Sequence, residues 1–147
     1  MTRRIAVRGI FIKDGQLLCA KLKDHKTGQP LDFWCTIGGG LDDNEALIPG
    51  LEREIMEETG IKPVVGNLLF IQQFAQGDNE HLEFFFNILN PDDYAQVDLT
   101  KSSHGTAEIA RLEYIDPAAE NVLPKFLTEQ DYSVITPDSS TTVFSYL

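Results

Sequence analysis

Between Gly38 and Ile61 the chain reads GGGLDDNEALIPGLEREIMEETGI, and its acids are spaced for a helix. At about 100° per residue, Glu57 and Glu58 follow Glu54 by three and four positions, so the three carboxylates share one face. Like charges at these spacings destabilise an isolated helix unless a cation sits among them. A hard divalent ion bound through oxygen is the natural occupant; magnesium in particular uses few carboxylates and leaves positions for water and substrate phosphates. Arg53, four residues before Glu57, flanks this face and is placed to orient a carboxylate by a two-pronged pair. On the opposite side Leu47, Ile48, Leu51 and Ile55 make an apolar stripe that would anchor the helix to a sheet. The triple glycine ahead of it permits unusual backbone angles and a close approach of main chain to a ligand. Taken alone, such an acidic run is more often a solvated helix face with one or two internal ion pairs.

The elements that must hold these residues follow from turn residues and periodicity. Apolar runs over residues 4–12 and 17–23 meet at Asp14-Gly15 and predict a hairpin. Residues 24–32 read as a loop, and residues 33–37 as a short strand ended by the glycines. Residues 44–60 are the best helix, with Asn44 as N-cap and Gly60 as the C′ residue. Pro49 is tolerated only in a first turn, so the regular helix begins close to Ile48 or its first turn is distorted. Residues 68–75 and 82–89 predict a second hairpin about Gly77-Asp78-Asn79. An exposed loop is expected over 90–105, a strand over 109–115 and a short helix over 123–128, while 133–147 offers no assignment. With no repeat or linker, the expected organisation is one α/β domain over residues 1–147.

Composition narrows the function. The 147 residues carry 12 Lys+Arg against 23 Asp+Glu, a formal net charge of −11, and 42% are hydrophobic. The acidic balance argues against nucleic acid polymers and anionic membranes as partners, both of which need a cationic surface. No stretch approaches the roughly 20 apolar residues that cross a bilayer, and Arg8 and Lys13 interrupt the N-terminal run before a signal peptide could form, so a cytoplasmic location is expected. Cys19 and Cys35 lie in no CxxC and read as reduced core thiols.

The spacing of the glycines to the acids changes the weight of the pattern. Gly39, five residues, Glu45, seven residues, then Arg53-Glu54-Ile55-Met56-Glu57-Glu58-Thr59-Gly60-Ile61 resembles the Nudix box at each of its nine specified positions. An initial hairpin, a Trp-containing strand before the glycines and the FFF strand after them are also similar to the family's. The resemblance implies the Nudix fold, a mixed β-sheet sandwiched between α-helices. It also implies metal-dependent hydrolysis, with magnesium or manganese, of a small-molecule nucleotide: a nucleoside diphosphate linked to another moiety. Carried over, Glu54, Glu57 and Glu58 are the expected metal ligands with the Gly39 carbonyl as a further one. Glu54 is a candidate to activate the attacking water, and Arg53 and Glu45 would orient the cluster. Family members also draw the base from a later loop or strand, and Glu108 resembles an acid that some of them add to the metal shell. Glu80 and Glu83 are weaker alternatives to Glu108 and read first as solvent-facing hairpin residues. The family's usual proline before the two glycines is Ile37 here, and its glycine before Glu45 is Asn44; both departures bear on loop shape.

His25, His81 and His104 lack ligand-like spacing. Trp34 and residues 84–86 read as core or cleft wall, with Phe33, Phe74 or Phe86 available to stack on a base. Arg8, Lys21 and Lys23 could meet phosphates but read first as outward strand residues. Marks expected after the box for ADP-ribose, dinucleoside polyphosphate and NADH enzymes are absent, which leaves a nucleoside triphosphate, damaged ones included, ahead of a nucleotide sugar or ADP-ribose. A non-catalytic nucleotide sensor is disfavoured by the retained acids. Relatives are commonly homodimers, and Val143, Phe144, Tyr146 and Leu147 would pack on a partner or on the domain's own surface.

Overall fold

The computed structural model describes residues 2–147. Strand β1 (Thr2–Ile10) belongs to a five-stranded mixed sheet and does not form the expected hairpin. The chain breaks at Phe11, whose buried ring packs on Tyr94 with centroids 4.6 Å apart. The hairpin at Asp14-Gly15 is instead made by β2 (Ile12–Lys13) and β3 (Gln16–Leu22). Both turn residues have positive φ, 51° and 75°, as a tight two-residue hairpin turn requires. Residues 33–37 contribute only isolated bridges, Cys35 to Ala20 and Trp34 to Val122. The glycines do not end a strand; they are one, β4 (Gly38–Gly40), antiparallel to β1.

Helix α1 (Leu47–Thr59) starts later than expected, with Ala46 as N-cap. Asn44 instead takes a left-handed turn conformation with φ 62°, which Asn adopts more readily than most residues. Pro49 falls in the first turn, and Gly60, φ 75°, closes the helix by donating its N–H to Met56 O. The buried stripe is Gly50, Leu51 and Ile55, whereas Ile48, expected on it, is exposed. The stripe narrows because the glycine at 50 lets Leu41 cover that turn: a Cβ there would lie 2.3 Å from Leu41 Cδ2.

The second hairpin is present and longer than expected, β5 (Val65–Gln76) and β6 (Asn79–Ile88) about Gly77-Asp78. Residues 90–105 hold two 3₁₀ turns, Pro91–Tyr94 and Leu99–Lys101. They are not a simple exposed loop, because Tyr94 is buried and donates its hydroxyl to Ile61 O at 2.8 Å. A single helical turn, α2 (Gly105–Glu108), leads into β7 (Ile109–Ile115), which pairs with β3. The expected short helix is a 3₁₀ turn, Lys125–Glu129, and the unassigned tail supplies β8 (Thr142–Ser145). Of the apolar tail residues, Phe144 stacks on Phe126 at 4.3 Å while Val143, Tyr146 and Leu147 stay exposed.

The five-stranded order is β4-β1-β6-β5-β8, with β2-β3-β7 as a second sheet. Alternation along β6 divides the core: Phe84 and Phe86 face α1 with Leu51 and Ile55, while Phe85 faces Phe70, Phe126 and Leu127 on the other side. A mixed sheet with helical segments on both faces is the expected α/β arrangement. Among the described residues no helix is long and apolar enough to cross a membrane.

Candidate active site

The site is built where α1 lies against β4. Strand β4 runs opposite β1 with Gly39 facing Val7. The flanking bonds, Gly9 N–H to Ile37 O and Leu41 N–H to Ile5 O, make that pair one of the hydrogen-bonded ones. The outward main-chain groups of β4 therefore belong to Gly38 and Gly40: Gly38 N–H donates to Glu58 Oε1 at 3.1 Å and Gly40 O accepts from Arg53 Nη2 at 3.3 Å. What Gly39 offers the acids is the absence of a side chain, since a Cβ there would lie 2.6 Å from the Glu54 carboxyl. Its carbonyl, expected as a ligand, belongs to the pair with β1.

Arg53 organises the acids. Its Nε and Nη2 fork onto Glu45 at 2.8 and 2.9 Å, and Nη1 reaches Glu54 at 3.2 Å and Glu57 at 3.2 Å. The Arg53 hydrogen bond, together with the Asp42 N–H, holds the Glu45 carboxyl down at about 2. Glu58 lies apart from this network and is almost fully buried. Burial pushes its carboxyl up to about 8; Arg8 opposes the rise, and the charges of Glu54 and Glu108 add to it. Burial also lifts Glu54, against Arg53 and with the help of Glu57 and Glu108.

The three carboxylates thus share the expected face without closing on one point. Among the described residues no group of three His, Cys, Asp or Glu side chains is positioned to hold a metal ion as it stands. Two of the acids lean onto Arg53, and the third is turned to Gly38 N–H. The residues nonetheless fit a hard divalent cation. All the donors are oxygens, and Glu58 is a buried carboxyl group with no directly bonded cation among the described residues.

One cavity reaches this face through Glu58, and a second adjoins the first. The smaller, about 320 Å³, is lined by Glu58, Glu108, Arg8, Thr36, Lys23 and His25. The larger, about 590 Å³, is walled by Phe33, Phe74, Gln72, Leu123 and Tyr146 and shares Arg8, Leu22 and Thr36 with the first. Glu108 therefore stands with Glu58 at the acid cavity. Three expectations are corrected here. Glu80 and Glu83 are buried rather than solvent-facing, because each accepts from an arginine of β1: Arg3 Nε to Glu80 at 2.9 Å and Arg8 Nε to Glu83 at 2.9 Å. Arg8 is a cleft residue; burial alone would lower its pKa, but Glu83 raises it and fixes the charge. Phe86, offered as a stacking ring, is buried under α1, whereas Phe33 and Phe74 do line the cleft.

Lys21 lies over the Trp34 ring at 5.3 Å, away from both cavities, while Lys23 and His25 reach the acid cavity. His104 stays near the acids through its backbone, donating N–H to Glu57 O at 2.8 Å. Sequence reasoning passed over the Arg8–Glu83–Gln72 chain. Its signal was present: a charge inside the apolar run AVRGIF and another inside HLEFFF, on strands that turn out to be paired.

Arg53→Lys keeps the charge but loses the fork, since an ammonium cannot hold Glu45 bidentately while reaching Glu54 and Glu57. With the acids in the metal-ligand role expected from the sequence, turnover falls about 10–100-fold, the usual cost of loosening the shell behind such ligands, with thermal melting little changed. Steady-state kinetics beside a melting curve check it, and unaltered turnover would remove Arg53 from the site.

Comparisons place this geometry among known proteins. The NUDIX domain model matches residues 2–136. The solution structure of the E. coli ORF135 protein is similar with a TM-score of 0.67, at 20% identity over 88% of each chain. The MutT protein from Methanosarcina mazei Go1 is similar at 0.66, with 20% identity over 87% of this chain and 89% of that one. An ADP-ribose pyrophosphatase from Streptococcus suis 89-1591 is similar at 0.62, with 12% identity over 95% of this chain and 98% of that one. At these identities the likeness is one of fold. No curated protein matches by sequence. The family model spans nearly all of the chain, and the acids, arginine and glycines of residues 39–61 stand together in space, so this chain belongs to the Nudix family of pyrophosphohydrolases.

Proposed function

We propose that the chain hydrolyses the pyrophosphate linkage of a nucleoside diphosphate derivative with magnesium or manganese, and that a nucleoside triphosphate, damaged ones included, is its preferred substrate. The observation that carries this reading is that the two cavities adjoin. An apolar chamber large enough for a nucleoside shares Arg8, Leu22 and Thr36 with the cavity of Glu58 and Glu108. The base lies between Phe33 and Phe74, and the phosphates run past Arg8 toward α1.

Glu54, Glu57 and Glu58 would hold the cation, with Glu108 and a main-chain oxygen of β4 beside Gly39 as further ligands. When bound, the cation neutralises the pyrophosphate, polarises phosphorus and acidifies water. Glu54 takes the proton from the attacking water, and its pKa, lifted by burial, suits a base better than an exposed carboxylate's. Water oxygen bonds to phosphorus, the bridging P–O bond breaks, and nucleoside monophosphate and pyrophosphate leave. Arg53 keeps Glu54 and Glu57 aimed throughout.

The purified chain with Mg²⁺ is expected to release pyrophosphate from at least one nucleoside triphosphate and to stop when EDTA removes the metal. A panel of triphosphates, ADP-ribose, nucleotide sugars and dinucleoside polyphosphates, read by product chromatography, decides the substrate. Faster turnover of ADP-ribose or a sugar nucleotide would overturn the triphosphate preference, and no metal-dependent turnover of any of them would overturn the reading.

A further inference from the structure

Glu83 is a buried carboxylate with both oxygens engaged on the floor of the apolar chamber. Its Oε2 accepts from Arg8 Nε at 2.9 Å, and its Oε1 accepts from Gln72 Nε2 at 2.8 Å across the β5–β6 pair. A carboxylate so paired is acceptor-only, so the Gln72 amide must present its nitrogen to Glu83. Gln72 Oε1 is thereby turned away from Glu83, in a residue that is itself 5% exposed and lines the chamber, and among the described residues the side chain makes no hydrogen bond besides the one to Glu83. Beside it Thr36 Oγ1 is buried without a hydrogen-bond partner among the described residues, in a residue that lines both cavities.

We infer that Gln72 is the specificity-determining residue of the chamber and that its fixed carbonyl oxygen selects nucleobases carrying an exocyclic amino group, cytosine and adenine over uracil and hypoxanthine. The inference rests on the hydrolase reading above. An amino group donates to Gln72 Oε1, whereas the keto oxygen of uracil or hypoxanthine at the same place sets two acceptors against each other. The amide cannot turn round to accommodate it, because that would face Oε1 against Glu83. Sites built around a buried polar group reject the ligand lacking its partner far more strongly than apolar pockets reject a missing methylene. Thr36, which both donates and accepts, takes the sugar or first phosphate at the junction without discriminating between bases.

The test compares matched pairs, CTP with UTP and ATP with ITP, for turnover by the full chain with Mg²⁺, and CMP with UMP for equilibrium binding. The amino member is expected to be favoured at least 10-fold in kcat/KM, with the same order in binding. Gln72→Met, which keeps the length and removes the polarity, is expected to bring both ratios close to one through loss of the advantage of the amino substrates. Equal or reversed preference in the wild-type chain overturns the inference even if the variant does not fold, as do ratios that survive in a folded Gln72→Met. No turnover of these four triphosphates overturns it too; metal-dependent hydrolysis of ADP-ribose or a sugar nucleotide in the same assay would then leave the hydrolase reading standing.

Discussion

Glu58→Gln is expected to lower turnover with Mg²⁺ by about 10²–10³-fold and, in the same protein, to stabilise the metal-free fold at neutral pH. The loss follows from the proposed role of Glu58 as a metal ligand, whose removal costs several kcal/mol of charge stabilisation at the reacting phosphorus. The gain follows from linkage. Glu58 is almost fully buried, and its carboxyl sits near 8 in the folded chain against 4.5 when unfolded. Below about pH 4.5 both states hold the proton and the residue is neutral to stability. Between 4.5 and 8 the unfolded chain releases the proton and the folded chain does not, so stability falls as pH rises, by on the order of a few kcal/mol. Glutamine cannot ionise, so melting curves of the variant in EDTA should lose that decline. Glu57→Gln is the control: partly exposed and paired with Arg53, it should lose turnover without the gain in stability. Unchanged turnover in both variants would sink the assignment of the acids.

The second large effect falls on the fold. Gly38 has φ 141°, and a Cβ there would lie 2.0 Å from Val7 O, a backbone atom that cannot step aside without breaking the β1–β4 pairing. Gly38→Ala is therefore expected to destabilise the chain by about 3–5 kcal/mol, the sum of backbone strain and forced displacement in a packed region. In a domain of this size that lowers the melting temperature by about 10 °C or more. Gly39→Ala meets only the end of the Glu54 side chain, at 2.6 Å, which can rotate away. It should melt within a few degrees of the wild type and lose turnover. Circular dichroism melts of the two variants, with kinetics of the second, check the contrast; a wild-type melt for Gly38→Ala would overturn it.

The helix and its acids were legible because spacing along one element determines which side chains share a face, and α1 carries Arg53, Glu54, Glu57 and Glu58 by itself. The glycines were legible as a special conformation but not as a strand, since only β1 lying alongside shows why Gly38 can have no Cβ. Both hairpin turns could be read from DG and GDN, yet the partner of residues 2–10 could not. Their parallel pairing with β6 joins positions some 77 residues apart, which no local pattern encodes. The same distance hid the cleft. Arg8 and Glu83 each looked like a charge interrupting an apolar strand, and only their ion pair explains why burying both is tolerable. The tail was illegible for a related reason: β8 is a short edge strand held by β5 and by Phe144 against Phe126.

The two cavities share only Arg8, Leu22 and Thr36. The residues proposed to cleave lie on β4, α1 and α2, whereas those proposed to choose lie on β5, in the segment before β4 and in the tail. Phe33, Gln72, Phe74 and Tyr146 can therefore drift without disturbing Arg53 or its acids. A lineage built on this plan can exchange one nucleotide for another by a few substitutions while its catalytic apparatus stands still, and a designer could retarget the scaffold by the same route.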